Sequence, residues 1–429
     1  MSGTTNIFLT STLIAREALR LLKNNLVMGN LVYRAYEAEF PGSPRKGGTV
    51  TIRKPVKFKV TKSRVRVSSV ITEQSITLTV ATQAHVSWAF HMVDMTLSIE
   101  EYSERYIRPA AAALANTVDA DLCALYKDVW NTVQEDTVGV SPHTFMILGK
   151  AMQKLDEEAC PPEDRVVVLN PAANWAIANA LSGMYAQEPS TTAIRKGKLG
   201  RIASCDIYMD QNIKVHLTGE WSSDTVEATT GKLLIFSSAA ALPATGLVVG
   251  ASNNQRIYLT GIRQNTAVAF TQGDVLTVAQ LYAVNPMSGE STGSLRHFVV
   301  TADITGTNES TLTDIIKIAI QPDIISTGPY KTVSTIPTVG AKVWPVMEEP
   351  EKNYPQNLAF HKNAFALCMV PLEKPEGVWG SSITEDGISI RLVKDFDIDE
   401  DDEIIRCDIL YGVKTIYPEL AARILGAEG

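Results

Sequence analysis

The sequence predicts an α+β fold, and three stretches of the chain carry this prediction. A helical pattern runs from Leu97 to Val133, an alternation with a period of two runs from Gly47 to about Phe90, and short β-runs separated by turns fill residues 220–340. The chain of 429 residues is long enough for two or three domains, and its 45% hydrophobic and 20% charged residues are typical of a globular protein. A net charge of −8 argues against a dedicated nucleic-acid-binding protein, which would usually be basic.

The composition offers no pattern for a metal or a cofactor. The five cysteines are widely spaced and form no Cys-x-x-Cys pair, so we expect a reducing compartment, with neither a disulfide framework nor a zinc site. The six histidines lack metal-ligand spacing, and the sequence contains no P-loop, G-x-G-x-x-G or H-E-x-x-H motif. The first residues do not resemble a signal peptide, and proline and glycine break the longest uncharged stretch, so we expect no membrane span.

The first 92 residues predict an arm followed by a long β-hairpin. Residues 1–45 form the arm, which carries one short amphipathic helix with a stop near Gly29. Residues 46–92 form the hairpin, in which apolar and polar positions alternate up to an irregular tip. Residues 45–66 carry nine cations and no acid; the cations are Arg45, Lys46, Arg53, Lys54, Lys57, Lys59, Lys62, Arg64 and Arg66.

This cationic run has two interpretations. A run of like charges is most often a solvated face of the protein. It also repels itself and favours an anionic partner, which would be nucleic acid or an acidic surface on another chain.

Residues 93–139 contain the long helix. Ser98 and Glu101 form a capping box that marks its start, and apolar residues then recur at helical spacing as far as Val133. Pro109 either kinks this helix or opens a second one in its first turn. An unbroken helix would measure roughly 50 Å, which exceeds the width of a compact domain. Part of it must then lie along other elements or other subunits.

The rest of the chain divides into three parts. Residues 140–219 predict an α/β region with two helices around a fully buried strand. Residues 220–340 hold short β-runs at close intervals, which predicts a small barrel or sandwich. Because this β-region lies between α/β pieces, we interpret it as an inserted domain. Residues 341–429 return through further strands.

An acidic run lies between two of these last strands. It shows no ordered EF-hand spacing and no glycine at the bend position, so calcium binding is disfavoured. A solvated turn is the default interpretation; a sharper hypothesis pairs the run with the cationic hairpin of an adjacent copy, where opposite charges would steer and register assembly. The acids are Asp395, Asp397, Asp399, Glu400, Asp401, Asp402 and Glu403.

One stretch matches a catalytic pattern. Residues Gly289 to Gly293 read G-x-S-x-G with Ser291 at the centre, but a nucleophile elbow needs a helix after the serine, followed by an acid and a histidine. A strand-like run from His297 follows instead. A turn is therefore the prediction, and a serine hydrolase that uses Ser291 is the alternative.

The order of these elements resembles that of the major capsid proteins of tailed phages, which share the HK97-like fold. The stretch Ile99–Leu122 resembles the spine helix of that fold, and Gly47–Phe90 matches its extended loop. Residues Phe365–Leu425 resemble the closing strands of coat proteins from short-tailed, scaffold-assembled phages, which also carry an inserted β-barrel. The resemblance implies a peripheral domain at residues 93–139 and an axial domain that begins at 140–219 and resumes after the insertion.

The resemblance also implies a structural protein without enzymatic turnover. Copies would form the hexamers and pentamers of an icosahedral shell, first as a procapsid and then as an expanded head. The head would enclose double-stranded DNA, which the protein would not bind sequence-specifically. A separate scaffolding protein and a portal are the implied partners, with no membrane partner. The resemblance further implies that the protein assembles in the cytoplasm of the bacterial host and is part of the virion capsid. An encapsulin-type nanocompartment is the alternative shell, which the inserted domain disfavours.

Overall fold

The computed structural model describes residues 11–36, 48–58, 60, 62, 64–65, 73–91, 106–135, 141–182, 199–202, 204–221, 234–236, 247–249, 255–260, 268–304, 316–337, 341–347, 349–375, 377–397 and 402–426. The α-helices are α1 (Ser11–Asn25), α2 (Met28–Leu31), α3 (Arg108–Cys123), α4 (Phe145–Glu157) and α5 (Pro171–Ser182). The strands are β1 (Thr49–Arg53), β2 (Ser75–Thr79), β3 (Thr82–His91), β4 (Thr132–Gln134), β5 (Arg165–Leu169), β6 (Arg201–Ile202), β7 (Cys205–Met209), β8 (Val215–Leu217), β9 (Leu234–Phe236), β10 (Leu247–Val249), β11 (Gln255–Thr260), β12 (Val275–Val284), β13 (Ser291–Val300), β14 (Ile316–Gln321), β15 (Lys342–Pro345), β16 (Asn353–His361), β17 (Phe365–Met369), β18 (Trp379–Glu385), β19 (Ile388–Asp397), β20 (Asp402–Thr415) and β21 (Ala421–Leu425).

The chain folds into two compact units. Unit 1 comprises Met1–Lys54, Gln74–Cys123 and Phe365–Ile416. Unit 2 comprises Pro55–Glu73, Ala124–Ala364 and Tyr417–Gly429. Among the described helices of both units, none has the length and apolar character needed to span a bilayer.

Unit 1 is built on the long strand β20. In its sheet β18, β19 and β20 are neighbours, β3 pairs with the other side of β20 through residues 402–411, and β17 pairs with its last residues. Helix α1 packs against α3 and against β18 and β19, and the described part of its apolar stripe, which includes Leu19 and Leu22, is buried. The predicted amphipathic helix of the arm is confirmed.

The predicted stop at Gly29 is wrong. Helix α1 ends at Asn25, and Gly29 lies buried inside α2. The side chain of Asp119 on α3 accepts hydrogen bonds from the backbone N–H groups of Val27 (2.7 Å) and Gly29 (2.8 Å). This buried carboxylate satisfies N–H groups at the start of α2, which have no partner within the helix, so a contact with a residue ninety positions away decides the local structure.

The predicted long hairpin is short in the described residues. Strands β1 and β2 pair antiparallel over five residues, from Thr49 opposite Thr79 to Arg53 opposite Ser75. Pro55 has no N–H to donate to a partner strand, and the described residues after Arg53 are not in a strand although their apolar alternation continues. The returning chain leaves β2 and continues as β3 in the main sheet of unit 1.

The long helix differs from its prediction at the C-terminal end. Helix α3 begins at Arg108, so Pro109 lies in the first turn of a helix and does not kink one. The proposed capping box falls outside the described residues. The helix ends at Cys123, ten residues before the predicted end at Val133. A 3₁₀ turn follows at 124–128, and then β4. Tertiary pairing of β4 with β21 overrides the helical spacing of the apolar residues.

Unit 2 contains a mixed sheet in the order β4–β21–β16–β5–β7–β6, with β8 paired to the first residues of β16. The pairs β4–β21 and β5–β7 are parallel, and the other pairs are antiparallel. Helices α4 and α5 pack on one face of this sheet through Leu148, Ile177 and their neighbours. All five residues of β5 are buried, which confirms the predicted buried strand. The two helices predicted on either side of it are α4 and α5.

Unit 2 also contains an antiparallel barrel. The pairings β11–β14–β13–β12–β15–β9 close because β9 also pairs with β11, and β10 lies beside β11. Its core includes Phe270, Phe298, Ile318 and Val343. Strands β9, β11, β12, β13 and β14 confirm β-runs predicted in this region, whereas the domain boundaries at residues 220–340 and the interpretation as an insertion stay predictions.

Candidate assembly surfaces

The cationic segment, defined as residues 53–66, presents its charges to solvent where the structure describes it. The backbone N–H of Lys57 lies 3.5 Å from the hydroxyl oxygen of Tyr330, at the outer limit for a hydrogen bond. Lys59 and Arg66 lie outside the described residues, as do Arg45 and Lys46. The described cations are Arg53, Lys57, Lys62 and Arg64, which are exposed, and Lys54, which is half-buried.

Large apolar side chains lie among these cations. Phe58 is 69% exposed, Val60 is 84% exposed and Val65 is 74% exposed. Exposed apolar area favours a partner that removes it from water, and charges around it favour a partner of opposite sign. The cationic segment therefore has both properties of a binding segment.

The acidic hairpin, defined as residues 395–403, is the connection between β19 and β20. Asp395 lies opposite Ile404, and Asp397 lies directly opposite Asp402 in the strand register. Like charges directly opposite each other in a sheet repel, and a nearby cation relieves that repulsion. The run joins two paired strands, with Asp395 and Asp397 in β19 and Asp402 in β20, and the predicted turn itself falls outside the described residues. Asp399, Glu400 and Asp401 lie outside the described residues, and the contact with another copy stays a prediction.

A buried ion cluster that the sequence did not indicate lies further along β20. The carboxylate of Asp408 has no exposed surface and accepts hydrogen bonds from Arg391 Nη2 and Arg406 Nε, both at 2.7 Å. Burial alone would raise the pKa of Asp408, but the hydrogen bonds and charges of the two arginines outweigh burial and hold that pKa below its usual value. The cluster fixes β19 against β20 below the acidic hairpin.

A buried polar network in unit 2 was also missed. His216 Nε2 lies 2.9 Å from the Asp274 carboxylate, and the Tyr126 hydroxyl lies 3.0 Å from His216 Nδ1. An ionised carboxylate only accepts, so Nε2–H of His216 donates to Asp274, while Nδ1 and the Tyr126 hydroxyl share the second hydrogen bond. Burial raises the pKa of Tyr126 to about 12. The hydroxyl therefore stays protonated at neutral pH, and the network ties β8 to the start of β12.

Arg423 on β21 completes this network. Its Nη1 donates to the Gly273 carbonyl oxygen at 2.7 Å and its Nε donates to the Val129 carbonyl oxygen at 2.6 Å. The guanidinium also lies over the Tyr126 ring, 5.5 Å from the ring centre. Burial lowers the pKa of Arg423 to about 10, so the side chain keeps its charge at neutral pH. No spacing in the sequence connects these residues.

A second polar contact joins α4 to the barrel. The buried carboxylate of Glu158 pairs with Arg296 on β13, and Ser294 Oγ donates to Glu157 at 3.0 Å. Burial raises the pKa of Glu158, and the charge of Arg296 opposes that rise. The Arg296 guanidinium also lies over Trp130. Strand β13 is therefore held to the end of α4 by charge, and to the segment before β4 by the contact of Arg296 with Trp130.

Ser291 begins β13 and does not open a helix. The preceding turn is organised by Asn285, whose side-chain oxygen accepts hydrogen bonds from the N–H groups of Met287 and Ser288. The interpretation of this stretch as a nucleophile elbow is therefore wrong. Among the described residues, no group of three histidine, cysteine or acidic side chains is placed to hold a metal ion.

Comparisons with known proteins identify the family. The family described as P22 coat protein (gene protein 5) matches residues 4–426, and no curated protein matches the chain. Among solved structures, the chain is similar to one from Mycobacterium phage Che8, with 15% identity, coverage of 93% of this chain and 90% of that chain, and a TM-score of 0.47. The capsid structure of cyanophage P-SCSP1u gives 11% identity, 90% and 85% coverage, and a TM-score of 0.43. Because the family match spans nearly the whole sequence, the chain belongs to the P22 coat protein family and is a phage major capsid protein with the HK97-like fold, a structural protein of the virion shell.

Proposed function

We propose that copies of this chain assemble as hexamers and pentamers of an icosahedral procapsid, which then expands around packaged double-stranded DNA. The family match over residues 4–426 is the observation that carries this proposal. A separate scaffolding protein directs assembly in the host cytoplasm, and a portal occupies one vertex. The net charge of −8 suits a container for DNA, since a strongly basic wall would hold the polyanion tightly.

The cationic segment of one copy contacts the acidic hairpin of a neighbouring copy in this proposal. Three features of the described residues support it: exposed cations, exposed apolar side chains such as Phe58 between them, and a strand register that sets Asp397 opposite Asp402. Opposite charges on the two surfaces set the register of neighbours and speed their encounter, while the apolar side chains supply buried area.

Charge reversal tests this contact. The double variant Lys57→Glu, Lys62→Glu should form few shells when it is produced with its scaffolding protein, because it brings negative charge to an acidic surface. The matched control is Lys214→Glu, Lys374→Glu, which makes the same change in net charge at exposed lysines outside the cationic segment. Shells are counted by negative-stain electron microscopy, and circular dichroism confirms that the unassembled subunits are folded.

A compensating variant makes the test specific. Adding Asp395→Lys and Asp397→Lys to the first variant should restore shells, because the two surfaces are again opposite in charge. Normal shells from Lys57→Glu, Lys62→Glu would show that the segment is only a solvated face. Wild-type shells that enclose a cargo enzyme and no DNA would instead favour an encapsulin-type nanocompartment.

A further inference from the structure

The face of β13 that lies toward the mixed sheet carries a histidine. Successive side chains of a strand point to opposite faces, so residues two apart share a face. Phe298 and Val300 are part of the barrel core. Val299 lies on the other face, in the buried cluster that also contains Trp130. By this alternation His297, which is half-buried, shares the face of Val299 and lies at the junction of the barrel and the mixed sheet.

A hydrogen bond joins this histidine to strand β4 of the mixed sheet. The backbone N–H of Thr132 donates to His297 Nδ1 at 3.2 Å. A backbone N–H can only donate, so Nδ1 carries a lone pair and the ring proton lies on Nε2. Thr132 is buried, and its N–H would lose this acceptor if Nδ1 took up a proton. The contact between β4 and β13 therefore requires the neutral imidazole.

The surroundings of His297 favour this neutral form. Burial and the repulsion of three cations lower the pKa of His297 to about 3, and only the Trp130 backbone carbonyl opposes that shift. Two glutamates at the end of α4 are already paired with two of these cations, and Thr277, directly opposite on β12, is uncharged. The charged groups are Lys154 on α4, paired with Glu157, Arg296 on β13, paired with Glu158, and Arg423 on β21.

We propose that His297 is an acid-sensitive latch between the barrel and the mixed sheet. In the neutral form Nδ1 accepts the Thr132 N–H and holds β13 to β4. Protonation replaces that acceptor with an N–H that faces another N–H, and it adds a positive charge beside three others. Both changes weaken the junction. The latch is a property of the single subunit, so it holds or fails independently of the proposed assembly.

The direction of the pH dependence follows from the two states of the histidine. The pKa of His297 is lower in the folded junction than the value of about 6.5 that an unfolded chain gives. Between these values the opened junction binds a proton that the closed junction does not. The latch therefore stabilises the junction fully above about pH 6.5, and this stabilisation is lost as the pH falls toward the folded-state value.

Amide hydrogen exchange at two pH values tests the latch in unassembled subunits. The variant His297→Asn offers a side-chain oxygen to the Thr132 N–H in place of Nδ1, and this oxygen does not titrate. The equilibrium constant for opening of residues 129–134 is obtained from exchange rates corrected for the intrinsic effect of pH. From pH 7 to pH 5 we expect this constant to rise about 20-fold more in the wild type than in His297→Asn.

A matched control makes the same change at an exposed histidine. His85→Asn on β3 should keep the wild-type pH dependence in residues 129–134, and melting curves at pH 7 verify that both variants are folded. The same pH dependence in His297→Asn as in the wild type would overturn the inference. Equal protection of residues 129–134 at pH 7 and pH 5 in the wild type would also overturn it, whether or not the variant folds.

Discussion

Asp408 shows how one buried charge stabilises unit 1. Two arginines hydrogen-bond to its carboxylate, and the side chain has no contact with solvent. A buried charge whose partners are removed is costly, and so is a pair of arginines whose carboxylate is removed. Nothing in the sequence marks this aspartate among its acidic neighbours, because its partners are specified by strand register and not by spacing along the chain.

We expect Asp408→Asn to lower the free energy of unfolding by about 3 kcal/mol at neutral pH. The pKa of Asp408 is lower in the folded chain than in the unfolded chain, so its stabilising effect is present above about pH 4 and is lost as the pH falls toward the folded-state value. The difference between wild type and variant, measured by urea unfolding, should therefore shrink below pH 4. The exposed Asp395→Asn is the control and should change stability by less than about 0.5 kcal/mol. A difference that persists unchanged at low pH would contradict this account.

The strands of unit 1 approach each other closely where Gly412 on β20 passes the end of β2. A Cβ atom at this position would lie 2.2 Å from the carbonyl oxygen of Thr79 and 3.0 Å from Cα of Val80, so the contact is with backbone and no side chain can turn away. The sequence predicted these strands from their alternation, but alternation does not show which glycine allows two backbones to meet. The same limit explains the end of α3. The pairing of β4 with β21 sets where the helix stops, and the apolar periodicity of the sequence does not show this pairing.

Gly412→Ala should destabilise the chain by about 1–3 kcal/mol, because the backbones of β2 and β20 must move apart. Gly149 in α4 is the matched control: a Cβ there meets no atom within 4 Å, and alanine favours a helix. Gly149→Ala should therefore stabilise the chain by about 0.5–1 kcal/mol. Thermal melting of the two variants should show a lower melting temperature for Gly412→Ala and a higher one for Gly149→Ala than for the wild type. An equal change in melting temperature would rule out the steric explanation for Gly412.

At the scale of unit 2, the mixed sheet and the barrel each have a core of their own, and a third, shared core lies between them. Trp130 and Leu425 from the sheet side pack with Val275 and Val299 from the barrel in a single buried cluster. The order of helices, strands and β-runs could be predicted from the sequence because each depends on neighbouring residues. The shared core and the Arg423 network could not, since they join residues separated by more than a hundred positions. The cationic segment and the acidic hairpin were recognisable because charge runs are local.

Arg423→Met should loosen this junction specifically. The guanidinium donates to carbonyl oxygens of both Val129 and Gly273, so its loss leaves buried acceptors unsatisfied on both sides of the junction and costs about 2–3 kcal/mol. Amide hydrogen exchange should then accelerate in residues 129–131 and in residues 273–275 together, while the control Arg201→Met at an exposed site leaves both unchanged. Faster exchange confined to β21 would mean that Arg423 only supports its own strand. Joint acceleration would mean that the sheet and the barrel are held in one orientation by this side chain, as a shell subunit requires if its neighbours are to meet it in a fixed geometry.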